Sequence, residues 1–156
     1  MITNNVTRLL EARGIDFQTF ELPEKKLSAM EAADFLGVDP GMVFKTIVIT
    51  RAIQKKPLLA LVPAPNEVDL KKLSVVVGEK KVYLATQKEA EQLTGLQVGG
   101  ISPLALINRR FQVVIDNSAN SYEGIYISGG QRGLNIWLAV GELVAITQAE
   151  LAAISR

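Results

Sequence analysis

Residues 44–50 read FKTIVIT and residues 57–64 read PLLALVPA, with the polar segment RAIQKK between them. Both runs are shorter than an ordinary helix, rich in aliphatic residues and bounded by polar or breaker residues, which is the pattern of two strands joined by a hairpin. Ile47-Val48-Ile49 is a continuous β-branched run, and a strand with no polar face is expected to lie centrally in its sheet. Just upstream, Asp39-Pro40 predicts a short helical turn leading into the first strand, because proline at a first helical position forfeits no hydrogen bond.

Toward the N-terminus, Val6, Leu9 and Leu10 stand at helical spacing and Gly14 follows, which predicts an amphipathic helix over 2–13. Ile15, Phe17 and Thr19 alternate with polar residues as in a strand that Pro23 ends. Ser28 and Glu31 have capping-box spacing and open a helix to Leu36 that Gly37 closes. Toward the C-terminus, Asp69 caps a helix through Leu73 and Val76, residues 81–85 form a short strand, and Thr86 and Glu89 open a second boxed helix that Gly95 ends. Strands are expected at 111–116, 124–128 and 134–139, the last two joined by the turn GGQRG at 129–133. Two closing helices are expected, at 141–146 and 148–154, with Thr147 and Glu150 at capping-box spacing where the second begins. Short strands and helices in irregular order predict an α+β domain with a mixed, largely antiparallel sheet. No internal repeat or linker divides the chain, so residues 1–156 are expected to form a single domain.

Composition narrows the chemistry. The chain has no cysteine, hence no thiolate nucleophile or Cys-based zinc site, and no histidine, which removes Ser-His and Cys-His catalysis and most zinc hydrolase centres. An enzyme built from this chain works with lysine, carboxylates, hydroxyls and backbone groups, or borrows a group from its substrate, with no metal or other cofactor expected. No run approaches the ~18 apolar residues of a membrane span. The opening MITNNVTRLLEARG lacks the pattern of a signal peptide, so a cytoplasmic location away from membranes is expected. A formal net charge of +1 argues against a protein that lives on long nucleic acid, DNA included, and predicts only modest RNA affinity. The doublets Lys25-Lys26, Lys55-Lys56, Lys71-Lys72, Lys80-Lys81 and Arg109-Arg110 fit either solvated faces or, for two or three of them, a local RNA-facing patch.

Three segments carry more than packing requires. Lys45 sits among hydrophobic residues at the mouth of a strand, either snorkelling to solvent or held as an ammonium that binds an anionic or carbonyl oxygen. Gly99-Gly100-Ile101-Ser102-Pro103 is either a tight turn or a place where backbone amides approach a ligand and stabilise an oxyanion; it matches no nucleotide-binding glycine motif. Ser128 lies where a strand opens into Gly129-Gly130, and without histidine it is a better binding group than nucleophile. Asp116, Glu67 and Asp69 are possible bases, although capping accounts for Asp69.

Taken in order, FKTIVIT at 44–50, EVDLKKL at 67–73, KKVYLAT at 80–86, TGLQVGGISPL at 94–104, VVID at 113–116 and IYISGGQRGLNIWL at 125–138 resemble the YbaK/EbsC family, the prolyl-tRNA-synthetase-associated domain. The resemblance spans Val6 to Val144. It implies an α+β fold whose mixed, partly barrel-like sheet is flanked by helices, with one pocket at the sheet's end. It also implies hydrolysis, in trans, of the ester of mischarged aminoacyl-tRNA, often cysteine or alanine on proline tRNA. The partners it implies are the tRNA acceptor end and, for some members, prolyl-tRNA synthetase. By the same resemblance Lys45 corresponds to the functional lysine, Gly99 to the backbone beside the scissile carbonyl, Ser128 to a pocket hydroxyl, and Thr46 to a residue of the YbaK branch. Gly100 is expected to join Gly99 as an amide donor, and Ile101, Ser102 and Gly129 to line the substrate site. Two positions depart from the pattern: Phe20 stands where some relatives carry tyrosine and Asn135 where some carry aspartate. Those departures leave room for a non-catalytic tRNA- or synthetase-binding module of the same fold, and, more remotely, for a small-molecule binder. The preferred amino acid stays open.

Overall fold

A computed structural model describes residues 2–52 and 54–156. Ile53, inside the expected hairpin turn, lies outside the described residues. Among the described residues there are five α-helices: α1 (Asn5–Ala12), α2 (Ala29–Leu36), α3 (Leu70–Val77), α4 (Gln87–Thr94) and α5 (Val140–Thr147). They pack against eight strands: β1 (Phe17–Glu21), β2 (Phe44–Thr50), β3 (Leu58–Pro63), β4 (Tyr83–Leu84), β5 (Gln112–Asp116), β6 (Gly124–Ser128), β7 (Leu134–Ala139) and β8 (Glu150–Ala152).

The helix starts follow the predicted caps. Ser28 and Glu31 form the capping box of α2 and Thr86 and Glu89 that of α4, each side chain satisfying an amide that the helix leaves without a partner. Asp69 accepts from the Lys72 amide at the start of α3, and Asp39 accepts from Gly41 in the short turn before β2. Gly37, Gly78 and Gly95 close α2, α3 and α4 in the left-handed conformation that a side chain disfavours.

The strands form two sheets, in the order β1-β7-β6 and β4-β2-β3-β5-β8. All pairings are antiparallel except β3 with β5 and β5 with β8, so the sheet is mixed as expected. The centre belongs to β3, buried along its whole length, whereas β2 lies one strand nearer the edge. The main core is enclosed by both sheets and includes Leu59, Leu61, Ile115, Ile125, Ile127, Ile136 and Leu138 with Val6 and Leu10 of α1. A second cluster, with Leu58, Ala60, Val62, Val114 and Leu73 of α3, covers the opposite face of β3.

The expected last helix is a strand. Gln148 takes a left-handed conformation (φ 55°) that stops α5, and residues 150–152 then pair in parallel with β5. The Thr147 hydroxyl, expected to cap a new helix, donates instead to the Leu143 carbonyl inside α5. The tail is fixed by Asp116, whose buried carboxylate accepts from the amides of Ile154 (3.0 Å), Ser155 (3.1 Å) and Ser118 (3.2 Å).

The barrel is incomplete at one place, which positions the site. Val43, just before β2, bridges in parallel to Tyr126 of β6, linking the two sheets. On the same side of β2, β4 pairs only with Ile49 and Thr50. Between those points, among the described residues, no strand hydrogen-bonds to this edge of β2 although β6 runs near it, so the two sheets do not close into a barrel.

Candidate functional site

A cavity of about 560 Å³ fills that gap, a size within the range of small-ligand sites. Residues 44–48 of β2 form one wall. Side chains of a strand alternate between faces, and an open edge is where both faces become reachable, so consecutive residues Lys45 and Thr46 both line the cavity. Gly99 and Ile101 form another wall with Ser128, Leu134 and Asn135 from the ends of β6 and β7. The strap between β1 and α2 supplies Lys25 and Leu27, and the capping residues Ser28 and Thr86 complete the rim. The strap is tied to α4 by the Lys26 Nζ, which donates to Gln87 Oε1 at 2.7 Å.

The Lys45 side chain is only 24% exposed; its Nζ donates to the Ala64 carbonyl at 3.2 Å and lies 3.7 Å from the Glu67 carboxylate. Glu67 itself is 71% exposed, so the pair is a weak, solvated one that leaves donor capacity on the ammonium for a ligand. Two polar atoms of the cavity wall, Thr46 Oγ1 and Asn135 Oδ1, are buried and have no hydrogen-bond partner. Such orphans are costly, about 1–3 kcal/mol each, and are common where a ligand supplies the missing partner. Opposite, Gly99 has φ +98°, its amide has no intramolecular acceptor among the described residues, and its carbonyl receives a long 3.5 Å contact from Ser128 Oγ. The arrangement sets one cation, one unpaired hydroxyl, one unpaired amide oxygen and one backbone donor around a mostly apolar space. It suits a small ligand that offers an acceptor oxygen to the ammonium or the backbone donor and a donor to the unpartnered oxygens.

Residues 23–146 match the family model of the aminoacyl-tRNA editing domain. The chain belongs to that family. EbsC of Enterococcus faecalis, a candidate Cys-tRNA(Pro)/Cys-tRNA(Cys) deacylase, is 34% identical to this editing domain over 153 residues, 97% of the chain and 92% of EbsC. A proline–tRNA ligase of Thermodesulfovibrio yellowstonii is 28% identical over 79% of the chain, a match confined to 20% of that longer enzyme. Among solved structures, a candidate trans-editing enzyme for prolyl-tRNA synthetase superposes with a TM-score of 0.83 at 28% identity, covering 100% of this chain and 99% of that one.

Within the editing domain, the expected site residues divide. Lys45, Thr46, Gly99, Ile101, Ser128 and Asn135 meet in one cavity, whereas Phe20, Gly100, Ser102 and Gly129 are not part of its wall. The Gly100 amide is not free to hold an oxyanion: it donates to the Gln97 carbonyl at 2.8 Å, and a Cβ here would lie 2.8 Å from Gln131 Cα. The glycine is required by that close backbone approach. Ser102 is fully buried, and its hydroxyl accepts from the Leu104 amide. Gly129 packs under Leu134 and donates to its carbonyl. Phe20 stacks at 5.5 Å on Tyr126 and pairs with Asn135 across β1 and β7, so it stands beside the strand that presents Asn135.

Asp116, a possible base from sequence, is remote in role. Burial would raise its pKa, but the hydrogen bonds it accepts from Ser118, Ile154 and Ser155 outweigh this and lower it below the usual carboxylate value. It is a structural anion. Sequence reasoning missed the strap residues Lys25 and Leu27 and the rim residue Gln87; the two capping boxes, which start α2 and α4 at the same cavity, were the available signal.

Proposed function

We propose that this editing domain hydrolyses the ester of a mischarged tRNA in trans, taking a small amino acid, with cysteine or alanine on proline tRNA the leading candidates. The single observation that supports this is one cavity lined by Lys45, by Thr46 and Asn135, whose buried side-chain oxygens have no partner, and by Gly99, whose amide has no acceptor among the described residues. In this reading Lys45 anchors the terminal adenosine or the ester carbonyl, and the Gly99 amide stabilises the oxyanion that forms as the carbonyl is attacked. The attacking group is a held water or, for a cysteinyl ester, the substrate's own thiol. The ester C–O bond then breaks, the ribose oxygen takes up the proton given by the attacking water or thiol, and the product is the free amino acid or, by the thiol route, a cyclic thioester that water opens. An ester is already activated, so no histidine is required. Thr46 and Asn135 orient the amino-acid moiety, and the limited space excludes larger side chains.

The same reading places the protein in the cytoplasm, acting on the acceptor end of tRNA and, as its likeness to part of proline–tRNA ligases suggests, beside such a ligase. Incubating the purified protein with Cys-, Ala-, Ser- and 2-aminobutyryl-tRNA tests it. Release of one or more of these amino acids supports the proposal and names the substrate. Binding of tRNA with no release from any of the four would favour the non-catalytic module.

A further inference from the structure

Gln87 lines both the main cavity and a shallow groove formed with Lys88, Glu91 and Gln92 on the outer face of α4. Gln92 in turn borders a depression of about 340 Å³ between α4 and the β2–β3 turn, where Arg51 and Lys55 stand. The cavity, the groove and the depression thus succeed one another along α4, adjoining at Gln87 and Gln92. From Gln87 to Gln92 the helix covers about 7.5 Å at ~1.5 Å per helical residue, or about two steps of a stacked nucleotide strand at ~3.4 Å each.

Arg51 lines this depression, Lys56 and Arg109 are joined to it by a chain of hydrogen bonds whose acceptors are neutral, and the exposed Arg110 follows Arg109 in the chain. Arg51 Nε donates to the Lys56 carbonyl at 2.9 Å and Nη1 to Gln112 Oε1 at 2.8 Å. Lys56 Nζ donates to the Arg109 carbonyl at 3.1 Å, and Arg109 Nη2 donates to the Leu93 carbonyl, at the end of α4, at 3.0 Å. The Arg109 guanidinium also lies 4.9 Å above the Phe111 ring. Of the carboxylates nearby, Glu79 is paired with Lys55, whereas Glu89 and Glu91, which border the depression and the groove, accept from the Thr86 and Val98 amides and keep their charge. Among the described residues, none of the four cations has a carboxylate within ion-pair distance. Neutral acceptors orient a cation without cancelling its charge, and a cluster of oriented, uncompensated cations fits a polyanion.

We infer that the outer face of α4 and the cluster Arg51, Lys56, Arg109 and Arg110 form the track that receives the phosphodiester backbone of tRNA as it leaves the cavity. This rests on the editing reading above for the position of the tRNA end. Contacts from cations to phosphates position a nucleic acid without reading its sequence, so the track strengthens binding of any tRNA and leaves selection to the cavity.

The test is a titration of uncharged proline tRNA across a salt series. Four phosphate contacts give a slope of log affinity against log salt of about −3. The double variant K56Q/R110Q, both exposed positions, should bring the slope to about −1.5, since each lost phosphate contact removes roughly 0.7–0.9. The control R13Q/K71Q, which removes the same charge from α1's end and α3, should leave it near −3. Far-ultraviolet circular dichroism and melting confirm that both variants are folded. With an aminoacylated terminal trinucleotide as substrate, K56Q/R110Q should keep wild-type hydrolysis while losing rate on full-length tRNA at low concentration. An unchanged slope in K56Q/R110Q, an equal drop in the control, or an equal loss on the trinucleotide overturns the track. A wild-type protein that hydrolyses neither substrate overturns the editing reading alone, and the salt slopes still decide the track.

Discussion

Replacing Lys45 with alanine should leave a folded protein that has lost its activity. The structural loss is small. One 3.2 Å hydrogen bond to the Ala64 carbonyl disappears, costing about 1 kcal/mol. Glu67 is not stranded in the interior, because it is 71% exposed and rehydrates when its partner goes. Against the 5–15 kcal/mol typical of a domain, a change of about 1 kcal/mol keeps nearly all molecules folded at room temperature. The catalytic loss is larger. An ammonium held at the cavity wall that meets developing charge on the ester oxygen is comparable to one oxyanion-hole donor, worth about 10²–10³ in rate. Single-turnover deacylation of the substrate found in the four-tRNA panel measures the rate, and urea unfolding measures the stability. Rates within threefold of wild type would remove Lys45 from the mechanism; a large loss of stability would show that its burial was structural.

Thr46→Val should split stability from function with the opposite sign. Removing a buried hydroxyl that has no partner leaves stability unchanged or raised by about 1 kcal/mol, whereas the Michaelis constant for the aminoacyl ester rises; thermal melts and steady-state kinetics read the two. Gly100→Ala should destabilise the domain by about 1–3 kcal/mol through overpacking, because its Cβ meets the Gln131 backbone at 2.8 Å; an unaffected urea midpoint would contradict that close approach. Asp116→Ala should cost about 2–4 kcal/mol, since the amides of Ile154, Ser155 and Ser118 lose a charged acceptor. The folded-state pKa of Asp116 is lowered, so its stabilising effect is complete above the unfolded value near ~3.9 and is lost as pH falls through the folded value. Unfolding free energies of wild type and D116A should therefore converge in acid, and curves that stay parallel down to the acid limit would refute this role.

The local rules were legible wherever the partners are close in sequence. Capping boxes at Ser28 and Thr86, the cap at Asp69 and the turn at Asp39-Pro40 are decided by side chains reaching amides two or three residues away, and they are found where the sequence puts them. The same logic failed at Thr147 and Glu150, where the spacing is right but pairing with β5 and the Asp116 carboxylate holds the tail as a strand. That competition involves residues more than thirty positions apart, and no local pattern contains it. The glycine pair behaved likewise: both residues permit close approach, but the turn from Gln97 and the backbone of Gln131 determine that Gly100 is packed while Gly99 faces the cavity.

By itself, the sequence determined the strands and helices up to α5, the mixed sheet, the absence of imidazole and thiol chemistry, and the family through six ordered blocks, but not the closing strand β8. Only the tertiary structure decided that the edge of β2 is unpaired between Val43 and Ile49, because an open edge is defined by which distant strands do not hydrogen-bond to it. That opening lets neighbouring residues from both faces of one strand share a cavity with a turn fifty residues away, and it leaves the Thr46 hydroxyl and the Asn135 amide oxygen buried without partners. Hydrogen bonding between neighbours is a short-range property that a chain carries in its order; unmet hydrogen bonding in a wall is a property of the assembled fold.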